Sequence, residues 1–357
     1  MARAMEFAYR FRGKCLRAND SYQPQFFASG SEWMTPILHN PAERVPRPTR
    51  HAATTVGGSA GTEFPEAWTS QDGSQLRLIP GGKSIMGSTA NQIAATRRAD
   101  RDGALFSLGN EWPQFQVDLP AFYLGVYAAT NAQFVRFLNI AAPDPAEPAL
   151  WLAALEHLLP PRAGEPWRVE QGYDNHPVAH VSWLGAEAYC RWAGLRLPTE
   201  VEWEKGARGV DGRIFPWGDT WDETRLRWHG GNRINNATMA PVDAYPAGRS
   251  PYGLFQMAGN VEEWCVDFYR PTIYRRYACG DFRRPTSGYG RVVRGGACLR
   301  RHPLEFRCPM RRGNPAAYVN ILYTGFRCAA DAADVRRSAN PPVQANFTNP
   351  LISPLPP

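Results

Sequence analysis

The stretch from residue 252 to 329 restricts the fold of this chain most, because glycines, tryptophans and arginines there separate very short apolar runs. The runs are GLFQMAGNVEEW at 253–264, RVVRGG at 291–296 and TGFRCA at 324–329. Glycine adopts backbone angles that other residues avoid, and closely spaced glycines mark turns. No helical or strand pattern in this stretch exceeds about ten residues, which argues against a helical bundle or a βαβ sheet.

Five further segments lie upstream: LIPGGKSIMGS at 78–88, FYLGVYAATNAQFVRFL at 122–138, HPVAHVSW at 176–183, AYCRWAGLRLPTEVEWEKGARG at 188–209 and FPWGD at 215–219. The eight segments, in this order, resemble the formylglycine-generating enzyme (sulfatase-modifying factor) family, whose domain is a variant of the C-type lectin fold. The resemblance implies a loop-rich α+β domain with short antiparallel strands and two to three helices. It does not assign an activity, because one fold serves many functions.

The resemblance divides the chain into an N-terminal part (1–62), a domain (63–331) and a C-terminal part (332–357). The first part is rich in Pro, Gly, Ser and Thr, the last is rich in Pro, and both lack the apolar periodicity of a core. We expect both parts to be extended arms that become ordered on protein partners.

Helix starts can be placed from local signals inside the domain. Thr130 and Ser182 are expected N-caps, and Thr199 with Glu202 three residues later forms a capping-box pattern. Gly194 should end the helix that follows Ser182.

Two segments between the recognised motifs carry weaker signals. Residues 89–111 are polar and are predicted to form a loop. Residues 142–174 are a Pro-rich insert, in which ALWLAALEHLL at 149–159 predicts a short apolar helix.

Charge and composition narrow the class of partner. The chain carries 40 Lys and Arg against 33 Asp and Glu, a net charge of +7. No aromatic-interleaved basic stripe or nucleic-acid motif is present, so nucleic acid is not the expected partner. Residues 1–14 are charged where a signal peptide needs an apolar core, and no apolar run is long enough to span a membrane. We therefore expect a cytoplasmic protein with reduced cysteines.

The family's name-giving enzymes bind copper(I) through two closely spaced cysteines after the Gly-Gly pair. Aligned on the Arg307-Cys308 motif, Cys298 matches the first of them, but Pro303 stands at the second position and cannot ligate a metal. Copper is therefore not the expected cofactor. If the chain is an enzyme, the candidate catalytic residues are Cys298, His302 and Cys308.

The resemblance also includes iron(II) sulfoxide synthases, whose histidine ligands to iron follow an HxxxHxE pattern. Here His176 and His180 are four residues apart, but Pro177 opposes a regular helix and Ser182 stands where the Glu would be. We expect ordinary core or surface histidines.

Relatives in the family wrap a calcium ion in the GNVEEW turn. The matching donors are the side chains of Asn260 and Glu263 and the carbonyls of Val261 and Cys265. Oxygen donors on one turn suit a hard cation, whereas a turn whose Asn and Glu bond to the backbone is the alternative.

The segment that lines the family's substrate cleft is rich in arginine. Six arginines are expected to form a basic face for an acidic ligand or partner: Arg294, Arg300, Arg301, Arg307, Arg311 and Arg312. Internal pairing of several of them is the alternative.

Three functions follow from these observations. The first is a non-catalytic binding or assembly protein on this scaffold, because the fold motifs are intact and the copper pair is missing. The second is a metal-dependent oxidoreductase with an atypical site. The third is a ligand-binding variable protein of a diversity-generating retroelement, in which residues 297–324 would be diversified.

Overall fold

The computed structural model describes residues 64–100, 108–141, 151–162, 164–230, 238–288, 290–316 and 323–339. All of them belong to a unit over Ala60–Pro357. The predicted N-terminal arm lies outside the described residues, and so do residues 340–357 of the predicted C-terminal arm. No helix in the described ranges is long and apolar enough to cross a bilayer.

The described residues form twelve short strands: β1 (Ala67–Thr69), β2 (Gln75–Ile79), β3 (Gly82–Met86), β4 (Phe115–Leu119), β5 (Phe122–Gly125), β6 (Leu158–Leu159), β7 (Arg168–Val169), β8 (Glu262–Phe268), β9 (Arg291–Arg294), β10 (Arg311–Asn314), β11 (Thr324–Gly325) and β12 (Ala329–Asp331). They form two four-stranded sheets and two strand pairs. The first sheet has the order β1-β2-β5-β12 and is antiparallel throughout. The second has the order β10-β9-β8-β11, in which β11 runs parallel to β8. β3 pairs with β4 and β6 with β7.

Six α-helices occur within the described residues: α1 (Ala90–Ala99), α2 (Asn131–Ala141), α3 (Trp183–Trp192), α4 (Glu200–Arg208), α5 (Ile273–Ala278) and α6 (Ala332–Ala339). Their starts follow the local signals. The Ser182 hydroxyl accepts the Gly185 N–H, and Thr199 and Glu202 form a reciprocal capping box. The Thr130 hydroxyl accepts the Gln133 N–H. These predictions hold because each cap is a contact within three residues.

The main core lies against the first sheet. Phe134 on α2 stacks on Tyr189 of α3 with ring centroids 5.9 Å apart. Both rings contact Phe326 edge-on. Tyr123 of β5 and Trp264 of β8 belong to the same buried cluster. Aromatic side chains therefore fill the space between short elements that could not bury a core alone.

Two expectations for local structure are corrected. Residues 89–111 are not a loop throughout: Thr89 and Gln92 form a capping box that starts α1. Residues 152–159 do not continue the expected helix: they lead into β6, which pairs with β7. Beyond the predicted domain boundary, Ala332 and Val335 of α6 are buried in the main core.

Candidate functional site

The cleft segment begins where β9 ends. Gly295 and Gly296 have φ of 91° and 72°, angles that favour glycine, and they turn the chain into residue 297. Cys298 then packs among Ala128, Met239 and other apolar residues and is 1% exposed.

Burial raises the pKa of the Cys298 thiol to about 12. The metal ligand and the nucleophile is the thiolate, not the thiol. At neutral pH the side chain that matches the first copper cysteine is therefore a protonated thiol.

The other two candidate catalytic residues do not join Cys298. Cys308 packs in a different apolar cluster, with Phe122 and Trp203, and burial raises its pKa to about 12. His302 caps a short 3₁₀ helix, accepting the Leu304 N–H at Nδ1 over 3.3 Å. Among the described residues, no group of three or more His, Cys, Asp or Glu is arranged to hold a metal ion. The candidate residues Cys298, His302 and Cys308 therefore do not form one ligand set.

Three of the six predicted ligand-binding arginines are buried in the core. Arg294 donates to Glu204 and, over 3.2 Å, to Glu200. Arg311 makes a two-pronged contact with Glu200 at 2.6 and 2.7 Å.

Arg307 makes a similar two-pronged contact with Glu111 at 2.7 and 2.9 Å. Burial raises and the arginines lower the pKa of Glu200, with a net shift below its usual range. The expected basic face is therefore wrong for Arg294, Arg307 and Arg311, because each is neutralised by a carboxylate distant in sequence.

The remaining three arginines differ among themselves. Arg300 and Arg312 both contact Glu262 and Glu305, so two cations face two anions. Burial raises the pKa of Glu262, but the two arginines overcome that effect and hold it below its ordinary value. Arg301 is exposed, and its Nη2 lies 3.5 Å from His229 Nε2. Five of the six predicted arginines are thus paired with carboxylates.

The predicted calcium turn is built into the core. Asn260 has a left-handed φ of 66°, and its Oδ1 accepts the Ala240 N–H over 2.9 Å. Val261 packs against Cys298. The Cys265 carbonyl accepts the Trp183 Nε1–H over 3.0 Å.

Glu263 is also occupied. Its Oε2 accepts from Trp203 Nε1 at 2.7 Å, and both oxygens accept from Arg327, at 2.6 and 2.7 Å. A buried guanidinium beside Glu263, the one side-chain carboxylate of the predicted donor set, neutralises the charge that Ca²⁺ needs. The donor set does not fit calcium, and the turn is stabilised by hydrogen bonds instead.

A group of polar residues that sequence reasoning missed lies beside Cys298. We call it the insert cluster: Glu156, His157, Glu170, His180 and Tyr323. Three of its members come from the 142–174 insert. His180 Nε2 lies 2.6 Å from Glu156, and His157 Nδ1 lies 2.8 Å from Glu170. Tyr323 packs against the apolar cluster of Cys298, and its ring centroid is 5.2 Å from that of His180.

The surroundings of Tyr323 keep its phenol protonated. Burial, then the nearby Glu156 and Cys298, raise the pKa of its phenol to about 12. The sequence signal that could have found the cluster was the pair Glu156-His157 directly before the buried Leu158, in an insert otherwise rich in Pro and apolar residues.

Short antiparallel strands, few helices and a cleft segment behind a Gly-Gly turn define a C-type-lectin-like α+β protein. Comparison with known families agrees: the sulfatase-modifying factor enzyme 1-like domain matches residues 62–332, and the chain belongs to this family.

The chain is similar to proteins of several kinds. It is 36% identical over 298 residues to the formylglycine-generating enzyme of Streptomyces coelicolor, covering 72% of this chain and 89% of that protein. It is 35% identical over 258 residues to the serine/threonine-protein kinase pkn1 of Chlamydia caviae, covering 71% of this chain but only 38% of the kinase. The solved structure of PvdO from Pseudomonas aeruginosa superposes with a TM-score of 0.55 at 20% identity, covering 76% of this chain and 100% of PvdO.

Proposed function

We propose that this chain is a binding protein on the formylglycine-generating enzyme scaffold and that it lacks the copper chemistry of the name-giving enzymes. The observation that carries the proposal is the state of Cys298. Its thiol is buried, its pKa is raised to about 12, and proline occupies the position of the second copper cysteine. A soft metal ion would find at most one thiol among these two positions and would have to displace its proton.

The partners remain those expected from the sequence. Protein partners would bind through residues 1–62 and through the tail beyond α6. An acidic ligand at the cleft would find Arg301 exposed, whereas five of the six predicted arginines are paired with carboxylates. The arms are therefore the stronger candidates for partner contact. A deletion that tests the C-terminal arm should begin after residue 339, since Val335 is part of the core.

A metal-dependent oxidoreductase is the second candidate, because Cys298 is present and the family includes formylglycine-generating enzymes. A variable protein is less well supported, because diversified positions need to be exposed. Cys298 and Met310 are buried, and Arg307 and Arg311 are paired with core carboxylates.

Copper binding and thiol oxidation test the proposal directly. The full chain would be titrated with copper(I) in competition with bicinchoninate, and oxygen consumption would be followed with a cysteine peptide. We expect no stoichiometric copper that survives competition and no oxidation beyond that of the free ion. Cys298→Ser serves as the matched variant. One tightly bound copper per chain, lost in Cys298→Ser together with oxidation of the peptide, would establish the enzyme instead.

A further inference from the structure

A small cavity lies between β4, the start of α4 and the end of β8, and its volume is about 170 Å³. Five of its lining side chains are apolar or aromatic: Val117, Leu119, Val201, Tyr277 and Phe282. A cavity of about 150 Å³ holds a benzene-sized molecule, so this cavity has room for a small ligand. None of the described residues that line it belongs to the cleft segment 297–324 or to the insert cluster.

Asp267 lines this cavity with a carboxylate that is only partly compensated. The residue is 6% exposed, and its Oδ2 accepts the Glu200 N–H at the start of α4 over 2.7 Å. Within the described residues, Oδ1 accepts no hydrogen bond and the carboxylate forms no ion pair. Burial raises the pKa of Asp267 to about 6, as expected for an acid that lacks a close cation. Buried carboxylates are normally paired, so this one is available to a cationic group of a ligand.

Tyr277 contributes a second free polar group to the cavity. It is also 6% exposed, and its ring packs against Phe115 with centroids 5.7 Å apart. Its hydroxyl makes no hydrogen bond to any part of the chain that the structure describes. Most buried side-chain polar atoms in proteins have a hydrogen-bond partner. Two largely buried residues with unsatisfied polar atoms therefore line the same cavity.

Arg284 lies where the cavity opens to solvent. Arg284 and Phe282 both line the cavity and are both exposed. The charge of Arg284 acts on Asp267 and opposes the rise of its pKa, so the guanidinium lies near the carboxylate. The two groups nevertheless form no ion pair, and Arg284 has no carboxylate or hydrogen-bond partner among the described residues. The neighbouring Arg283, by contrast, is paired with Asp281 at 2.7 Å.

The other acids at the cavity are already compensated. Glu200 accepts from Arg294 and Arg311. Asp118 is exposed and lies opposite Lys83 in the β3–β4 register, where opposite charges attract each other. The cavity therefore contains one buried anion, Asp267, and one cation at its mouth, Arg284, that lack counterions.

We infer that this cavity binds a free α-amino acid with an aliphatic side chain of about leucine size. Its ammonium group would donate to Asp267 and to the Tyr277 hydroxyl, and its carboxylate would accept from Arg284. Both charged contacts would be charge-assisted hydrogen bonds, and the aliphatic side chain would pack against the apolar wall. A zwitterion fits better than a simple cation or anion, because either of those would leave one of the two protein charges without a partner.

Calorimetric titration of the full chain at about pH 7.5, where Asp267 is ionised, tests the inference with four probes. L-Leucine should bind with Kd below about 1 mM. Isoamylamine lacks the carboxylate, isocaproate lacks the ammonium and glycine lacks the side chain. Each should bind at least about tenfold more weakly, because it loses one charge-assisted hydrogen bond or the burial of an aliphatic group. A Kd above about 1 mM for leucine, or equal binding of any of the three fragments, would overturn the inference.

Asp267→Asn removes the charge that would hold the ammonium group. The asparagine can still accept the Glu200 N–H, so weaker binding by this variant would not arise from a lost contact at the start of α4. We expect leucine to bind at least about tenfold more weakly to this variant. Unchanged affinity would contradict the contact between Asp267 and the ammonium group.

Arg284→Gln and Arg283→Gln separate the carboxylate contact from a general effect of charge. Both remove one positive charge from an exposed residue, but Arg283 already pairs with Asp281. Arg284→Gln should weaken leucine binding at least about tenfold without weakening isoamylamine binding, whereas Arg283→Gln should change leucine binding by less than about twofold. Equal effects of the two variants on leucine would refute the contact with Arg284. The cavity does not include Cys298, so the copper test and these titrations can fail independently of each other.

Discussion

Glu204→Gln tests whether the buried arginines are structural. Glu204 is fully buried and accepts from four donors: Arg294, Arg208 at 2.8 Å, the Gly87 N–H at 2.8 Å and the Tyr274 hydroxyl at 3.1 Å. The glutamine has the same shape, but it removes the charge and turns an NH₂ toward these donors. The buried guanidinium groups of Arg294 and Arg208 would then lose the compensating negative charge of Glu204.

Glu204→Gln removes one partner of a buried ion pair, so the free energy of unfolding should fall by about 3–5 kcal/mol. For a domain of this size about 2 °C corresponds to 1 kcal/mol, so the melting temperature should fall by about 6–10 °C. Thermal and urea unfolding measure both values. Glu187→Gln, in a half-exposed pair with Arg191, is the control and should cost less than about 0.5 kcal/mol. A loss below about 1 kcal/mol for Glu204→Gln would refute the structural role of Arg294.

Two further predictions concern pH and stacking. Burial raises the pKa of Asp267 from 3.8 to about 6, so its contribution to stability is fully present below pH 3.8 and is lost as the pH rises through about 6. The Asn side chain of Asp267→Asn can still accept the Glu200 N–H. This variant should be more stable than the parent by up to about 3 kcal/mol at pH 8 and should show no gain near pH 3.8. Urea unfolding at the two pH values measures the difference, and a difference that does not depend on pH would contradict the reasoning. Arg291 lies 3.7 Å from the ring centroid of Trp183 and 3.6 Å from that of Phe268, so Arg291→Lys should cost about 1–2 kcal/mol in thermal unfolding, and a neutral result would show that planarity is unimportant there.

The helix starts could be predicted from the sequence because their physics is local. Ser182, Thr199 and Glu202 contact backbone groups within three residues, and the pattern of residue types specifies them. The glycine turn after β9 could also be predicted from local sequence: Gly295 and Gly296 have the positive φ that their sequence context indicates.

The charged residues could not be assigned in the same way. Arg307 pairs with Glu111 across 196 positions, and Arg311 pairs with Glu200 across 111. No local pattern tells a buried, paired guanidinium from one that faces a ligand. The role of the 142–174 insert could not be predicted for a related reason. The insert matches no family segment, and its contact with His180 depends on the tertiary fold.

The buried ion pairs also set an order of events when the chain is made. Four arginines that the described structure buries against acids distant in sequence are each synthesised after the carboxylate: Glu111 precedes Arg307, Glu200 precedes Arg311 and Arg294, Glu204 precedes Arg294, and Glu263 precedes Arg327. From residue 200 to residue 327 a ribosome needs on the order of 10 s. During that time the acids destined for the core lack these partners, so the domain can close only once its last third has emerged. A chain interrupted before residue 294 would be left with core acids that it cannot bury.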